Sequence, residues 1–129
     1  MKVSEIMIKC IRSEVFGCEI TKSELEEIRD VLCDGGYDKL YKLSSFHDVA
    51  HLVGSALHKY GLSDQADIAK KLYKTKFSAA FRCEKIIKEL ASLMDTLELA
   101  EIDHIALKGS VIRGLYPQAW MRCSPISTM

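Results

Sequence analysis

"IDHIALKGSVIRGLYPQAWMRCSPISTM", from Ile102 to Met129, is the stretch on which the fold turns. Its beginning, "HIALKG", is short, apolar, β-branched at Ile105 and closed by Gly109. That pattern predicts a buried strand over Ile102–Leu107 rather than another helical turn. Lys108-Gly109-Ser110 then turns the chain into a helix expected from about Ser110 to Leu115, ending near Tyr116-Pro117. Glycine lets backbone approach a ligand, serine adds a hydroxyl, and the first free N–H groups of a helix favour anions. A phosphate cradle and a plain strand-to-helix turn both fit these three residues.

The chain before Ile102 has another character. Its apolar residues recur at helical spacing and both prolines lie in the last thirteen residues, so the body is predicted to be mainly α-helical. In "TKSELEEIRDVLCDGG", Thr21 and Glu24 have the spacing of a capping box, Leu25, Ile28 and Leu32 form an apolar stripe, and Gly35-Gly36 ends the helix. A short helix over Asp38–Leu43 follows. From Phe46 to Tyr60, residues Val49, Val53, Ala56, Leu57 and Tyr60 share one face, and Gly61 stops the segment. Ser63-Asp64 opens the next region. Neither Gly nor Pro occurs from Ala66 to Ala100, where Phe77, Phe81, Ile87, Leu90, Met94 and Leu97 keep a three-four spacing. One continuous helix there would approach about 50 Å, so a break near Lys74–Lys76 is left open.

At 129 residues the chain is long enough to bury a core without metal or disulfide staples. Its 18 basic and 18 acidic residues cancel, so no global field recruits nucleic acid or an acidic membrane, and nucleic acid is not an expected partner. Glu5 and Glu14 interrupt any hydrophobic run near the N-terminus, leaving neither a signal peptide nor a membrane span and pointing to the cytoplasm. Five scattered cysteines without a C-x-x-C pair suggest reduced, packing thiols. Cys33 and Cys83 sit among apolar residues without a neighbouring histidine. His47, His51 and His58 are spaced for one helical stripe but lie opposite the apolar face, so solvated surface is expected rather than a metal site. The cations of "KKLYKTKF" invite a nucleic-acid reading, yet Tyr73 and Phe77 are expected to continue the core stripe of an amphipathic helix.

"ALKGSVIRGLYPQAWMR" resembles the signature of the uncharacterised nucleotidyltransferase family, a branch of the DNA polymerase beta-like superfamily. Leu-Lys-Gly, Tyr-Pro and Arg occur in the family's order, and "LYKLSSFHDVAHLVGSALHKYGL" is similar to its helical lead-in, so the likeness covers Leu40 to Arg122. The resemblance implies transfer of a nucleoside monophosphate from a nucleoside triphosphate (NTP) to an unknown acceptor. It implies phosphate contacts from Gly109 and Ser110, with Lys108 and Arg122 as further anion partners. It also implies magnesium held by an Asp-x-Asp pair on the next strand, but "CSPISTM" offers no carboxylate there.

The expectation is therefore a helical region, 1–100, followed at 101–129 by the first strand and helix of an α/β nucleotidyltransferase core. As a fragment truncated before Asp-x-Asp, it would bind no magnesium, catalyse nothing and self-associate through its exposed strand. A change of reading frame would account for the ending. If Pro125, Ile126 and Ser127 are written CCG ATA TCG and Thr128 begins AC, the shifted frame reads Asp-Ile-Asp. The alternative is a small helical protein-interaction module without catalytic activity.

Overall fold

The computed structural model describes residues 1–63, 66–105 and 113–122, and is mainly α-helical as expected. Two compact units divide it, residues 1–77 and 78–129. In the first unit, α1 (Val3–Phe16), α2 (Lys22–Val31), α3 (Tyr37–Phe46) and α4 (Ala50–Lys59) are followed by the opening turns of α5 (Asp67–Leu99).

α2 begins where the sequence indicates. The Thr21 side chain accepts from the Glu24 backbone N–H, and the Glu24 carboxylate accepts from the Thr21 backbone N–H, satisfying two otherwise orphaned donors. Its end is a turn, Leu32–Gly36, in which Asp34 and Gly35 leave helical geometry and Gly35 takes φ 81°. α4 stops in the same way at Gly61, φ 73°. α1, α3 and α4 pack on one another, and the core they enclose includes Ile6, Leu40, Val53 and Leu57. α2 adds Ile28 and α5 adds Ala69 and Leu72. Each large aliphatic side chain buried there contributes about 1.5–3 kcal/mol. Gly54 lets α4 lie against α5, because a Cβ at that position would collide with the Leu72 carbonyl.

Buried hydroxyls tie the helices together. Tyr60 Oη lies 2.7 Å from Ser13 Oγ and accepts the Ile20 backbone N–H at 3.2 Å, fixing the connection between α1 and α2. Tyr37 Oη donates to the Leu62 carbonyl at 2.7 Å, and Ser55 Oγ donates to Glu14 at 3.1 Å. Burial, aided by the nearby Cys33, pushes the Tyr37 hydroxyl up to about 12. Burial, and secondarily Glu14, raises the Cys10 thiol to about 12 as well, so this cysteine remains a neutral packing group.

The open question of a break near Lys74–Lys76 is answered, and several expectations need correction. α5 runs from Asp67 to Leu99 without a break. Its buried residues are Ala69, Leu72, Ala79 and Cys83, whereas Phe77 is 57% and Phe81 70% exposed and Ile87 is exposed. These buried positions fall about half a turn away from the two phenylalanines, so the stripe drawn through Phe77 and Phe81 points to solvent. Cys33 is exposed rather than buried among apolar neighbours. His51 is buried, because α4 is covered on nearly every side by α1, α3 and α5, and a one-face wheel does not apply to it. His47 lies outside α4, separated from it by Asp48 at φ 57°.

The second unit holds the remainder of α5 and two short 3₁₀ turns, Arg113–Leu115 and Ala119–Met121. The strand expected over Ile102–Leu107 is not formed in its described part. Ile102–Ile105 is irregular, with Ile102 53% and Ile105 79% exposed. A strand needs a neighbour for its N–H and C=O groups, and no strand occurs among the described residues. Ile102 instead donates its N–H to the Leu97 carbonyl, closing the end of α5, while Glu101 takes the left-handed φ of 57°. Leu107 and the first residues of the helix expected at Ser110 lie outside the described residues.

Candidate functional site

Of the four anion-binding candidates, Lys108, Gly109 and Ser110 lie outside the described residues, and Arg122 lies within them. Arg122 is held by the segment before it. Gln118 is extended and accepts the Met121 N–H at 3.1 Å, so Ala119–Met121 closes into a single tight turn. Met121 is 5% exposed and anchors that turn, with Tyr116 and Trp120 half-buried. Arg122 then leaves in extended geometry, φ −81° and ψ 116°, with its side chain half-buried.

The electrostatics at Arg122 are unusual. Its Nε is shielded from solvent and has no hydrogen-bond partner among the described residues. A guanidinium stays charged at any ordinary pH, and leaving one of its donors buried and unmatched costs about 1–3 kcal/mol or more. An anionic oxygen arriving there would remove that cost, and guanidinium recognises phosphate with paired donors. This arrangement fits a phosphate group.

The described residues do not fit magnesium. The stretch 113–122 contains no carboxylate, and Asp103 is exposed ahead of it. Among the described residues no group of three or more His, Cys, Asp or Glu side chains is placed to hold a metal ion. His104 turns its Nδ1 to the Ile102 carbonyl at 3.1 Å, an exposed contact local to the chain.

The first unit has cavities of its own among its described residues. A shallow cavity of about 300 Å³, open to solvent, is lined by Leu32, Cys33, Gly35, Tyr37, Asp38, Ala66 and Ile68. Its Tyr37 hydroxyl is committed to the Leu62 carbonyl. A smaller one of about 170 Å³ contains Lys9 and Arg12, but Lys9 already pairs with Glu24. Two of the histidines have contacts of other kinds. His58 bonds Ser63 Oγ through Nδ1 at 3.0 Å and stacks on Tyr73, and His47 meets Phe46 edge to face. The sequence could not signal the shielded state of Arg122 Nε, which is a property of the folded chain.

The family model described as uncharacterised nucleotidyltransferase matches residues 34–124, well over half of the chain. The chain belongs to this family. The match takes in the turn before α3, all of α3, α4 and α5, and the segment ending beyond Arg122. The matched span thus includes both the later helices and the Arg122 turn, while α1 and α2 lie before it, although Ile6, Cys10 and Ile28 complete the same core. No curated protein and no solved structure matches the chain. No helix among the described residues is long and apolar enough to cross a membrane.

Proposed function

We propose that this chain is the helical lead-in, residues 1–100, and the NTP-binding turn, residues 101–129, of a nucleotidyltransferase that passes a nucleoside monophosphate to an acceptor. Lys108, Gly109 and Ser110 would hold the triphosphate, with Arg122 as a further anion partner. The observation that carries this reading is the buried, unmatched Nε of Arg122 inside the family-matched span. Catalysis of such a transfer is chiefly positioning and neutralisation of charge, supplied in part by carboxylate-held magnesium. No acidic residue follows Asp103 in these 129 residues, so the polypeptide alone is proposed to bind NTP without transferring it.

Trp120 is the only tryptophan and stands two residues from Arg122, which gives a direct readout. Titration with a nucleoside triphosphate should change its fluorescence, and Arg122→Ala or Gly109→Val should weaken or abolish the response, the latter by blocking backbone approach to phosphate. Turnover to pyrophosphate by the 129-residue chain with magnesium would overturn the binding-only reading. An unchanged affinity in both variants would place the triphosphate elsewhere.

A further inference from the structure

The charge of this neutral chain is unevenly distributed. Between Ala66 and Lys88 the cations are Lys70, Lys71, Lys74, Lys76, Arg82, Lys85 and Lys88, against only Asp67 and Glu84. With about 100° per residue, Lys70, Lys74, Lys85 and Lys88 fall within one sector of about 120° on α5. The rings of Tyr73, Phe77 and Phe81 fall in the same sector. This sector lies opposite Leu72, Ala79 and Cys83, the buried side of the helix. Lys71 is turned away from it, over the Tyr41 ring at 4.7 Å.

The two phenylalanine rings are presented to solvent, and Tyr73 is packed. Phe77 and Phe81 are 57% and 70% exposed and stand about 6 Å apart along the axis. Tyr73 is braced by His58, stacked at 3.9 Å and 13°, and meets Phe77 edge to face at 5.1 Å. A single exposed phenylalanine is ordinary, but two a turn apart on the side facing away from the core are not explained by folding. The four lysines of the sector make no ion pair among the described residues. The whole feature belongs to one helix.

We propose that this face of α5 binds single-stranded nucleic acid, with the lysines on the phosphate backbone and Phe77 and Phe81 stacked on bases. The charge selects a polyanion. The apolar groups select among polyanions: from Lys70 to Lys88 the sector holds flat rings and no Leu, Ile, Val or Met, which suits base stacking better than an aliphatic protein seam. Asp67 lies at one edge of the sector and Glu84 inside it, between the directions of Tyr73 and Phe77, and the four lysines leave the balance positive. The surface goes beyond the triphosphate reading and stands without it.

Fluorescence anisotropy tests it on the intact 129-residue chain with labelled oligo(rU) and oligo(dT) of about twenty nucleotides carrying 5′-hydroxyl ends, starting at about 50 mM salt. Binding is expected to weaken with salt. Lys70→Gln and Lys74→Gln should each reduce the slope of log affinity against log salt by about 0.7. Phe77→Ala and Phe81→Ala should each lower affinity about fivefold or more without changing that slope. Both phenylalanines are solvent-facing, so the variants should keep the wild-type melting temperature. Lys39→Gln, an exposed charge on α3, should change neither quantity, and Arg122→Ala should leave oligonucleotide affinity intact, separating this surface from the triphosphate site. Equal affinity for the two oligomers would support backbone and base contacts, and preference for oligo(rU) would add a 2′-hydroxyl contact. The proposal is overturned by absence of binding at low salt, by affinity indifferent to both phenylalanine variants, or by loss of oligonucleotide binding in Arg122→Ala. A dimer that Phe81→Ala disperses in sedimentation, without nucleic-acid binding, would also overturn it and assign the face to a second copy.

Discussion

Residues 1–77 and the described part of 78–122 use their apolar side chains in opposite ways. In the first unit Ile6, Leu40, Val53 and Leu72 are entirely removed from solvent. In the second, Leu93, Leu99, Ile105 and Leu115 are more than half exposed, and only Ala79, Cys83 and Met121 are buried. Local hydrogen bonding in helices lets a short chain close its own core, whereas a segment patterned as a strand is completed only by another strand. Arg122, the described one of the four anion-binding candidates, lies in the less enclosed region, and the stabilising contacts lie mainly in the other.

The sharpest way to break this comparison is to truncate equivalent leucines in each region. Leu40→Ala, at a fully buried position of α3, should cost about 2–5 kcal/mol in urea unfolding. Leu99→Ala, at an 86% exposed position, should change stability by less than about 0.5 kcal/mol. Similar losses at both sites would mean that Leu99 is covered in solution.

A smaller effect is expected at the hydroxyl that joins α1, α2 and α4. Tyr60→Phe keeps the ring but removes the partner of Ser13 and of the Ile20 amide, and should cost about 1–2 kcal/mol. Faster hydrogen exchange at Ile20 would locate the loss, and unaltered exchange would show that the contact is dispensable.

In the second unit a stabilising change is available. Glu101 occupies the left-handed position beyond α5 with φ 57°, where a side chain is disfavoured and glycine is not. Glu101→Gly should raise stability by about 0.5–1 kcal/mol in thermal unfolding. Destabilisation instead would show that the Glu101 side chain contributes more than its backbone strain costs.

The smallest effect concerns acid. Hydrogen bonding from Lys9, then from Thr21, holds the Glu24 carboxyl at about 2, below its ordinary 4.5. A depressed carboxyl contributes stability that is present above pH 4.5 and is lost as pH falls towards 2. Lys9→Met should therefore flatten the acid limb of the stability profile over that window and leave the alkaline side unchanged. An identical acid limb would assign acid sensitivity to other carboxylates.

The fate of particular residues shows how far the sequence reached. Thr21 and Glu24 announced the start of α2, and Gly35 and Gly61 announced two helix ends, because caps and left-handed turns are decided within a few residues of chain. The Leu-Lys-Gly, Tyr-Pro and Arg order disclosed the family for a different reason, since it records shared descent rather than local energetics.

Tertiary structure decided what touches what. His51 looked solvent-facing on a one-sided wheel and is buried because neighbouring helices surround α4. Phe77 and Phe81 looked like core and face water because the enclosed side of α5 runs through Leu72, Ala79 and Cys83. Ile105 looked like a strand residue and is exposed in irregular chain, since pairing is a property of two segments and periodicity a property of one. The sequence by itself therefore determined the helices, their caps and the nucleotidyltransferase family. Only the packing of those helices determined which rings are buried and which are presented to solvent, because burial depends on what the rest of the chain brings alongside.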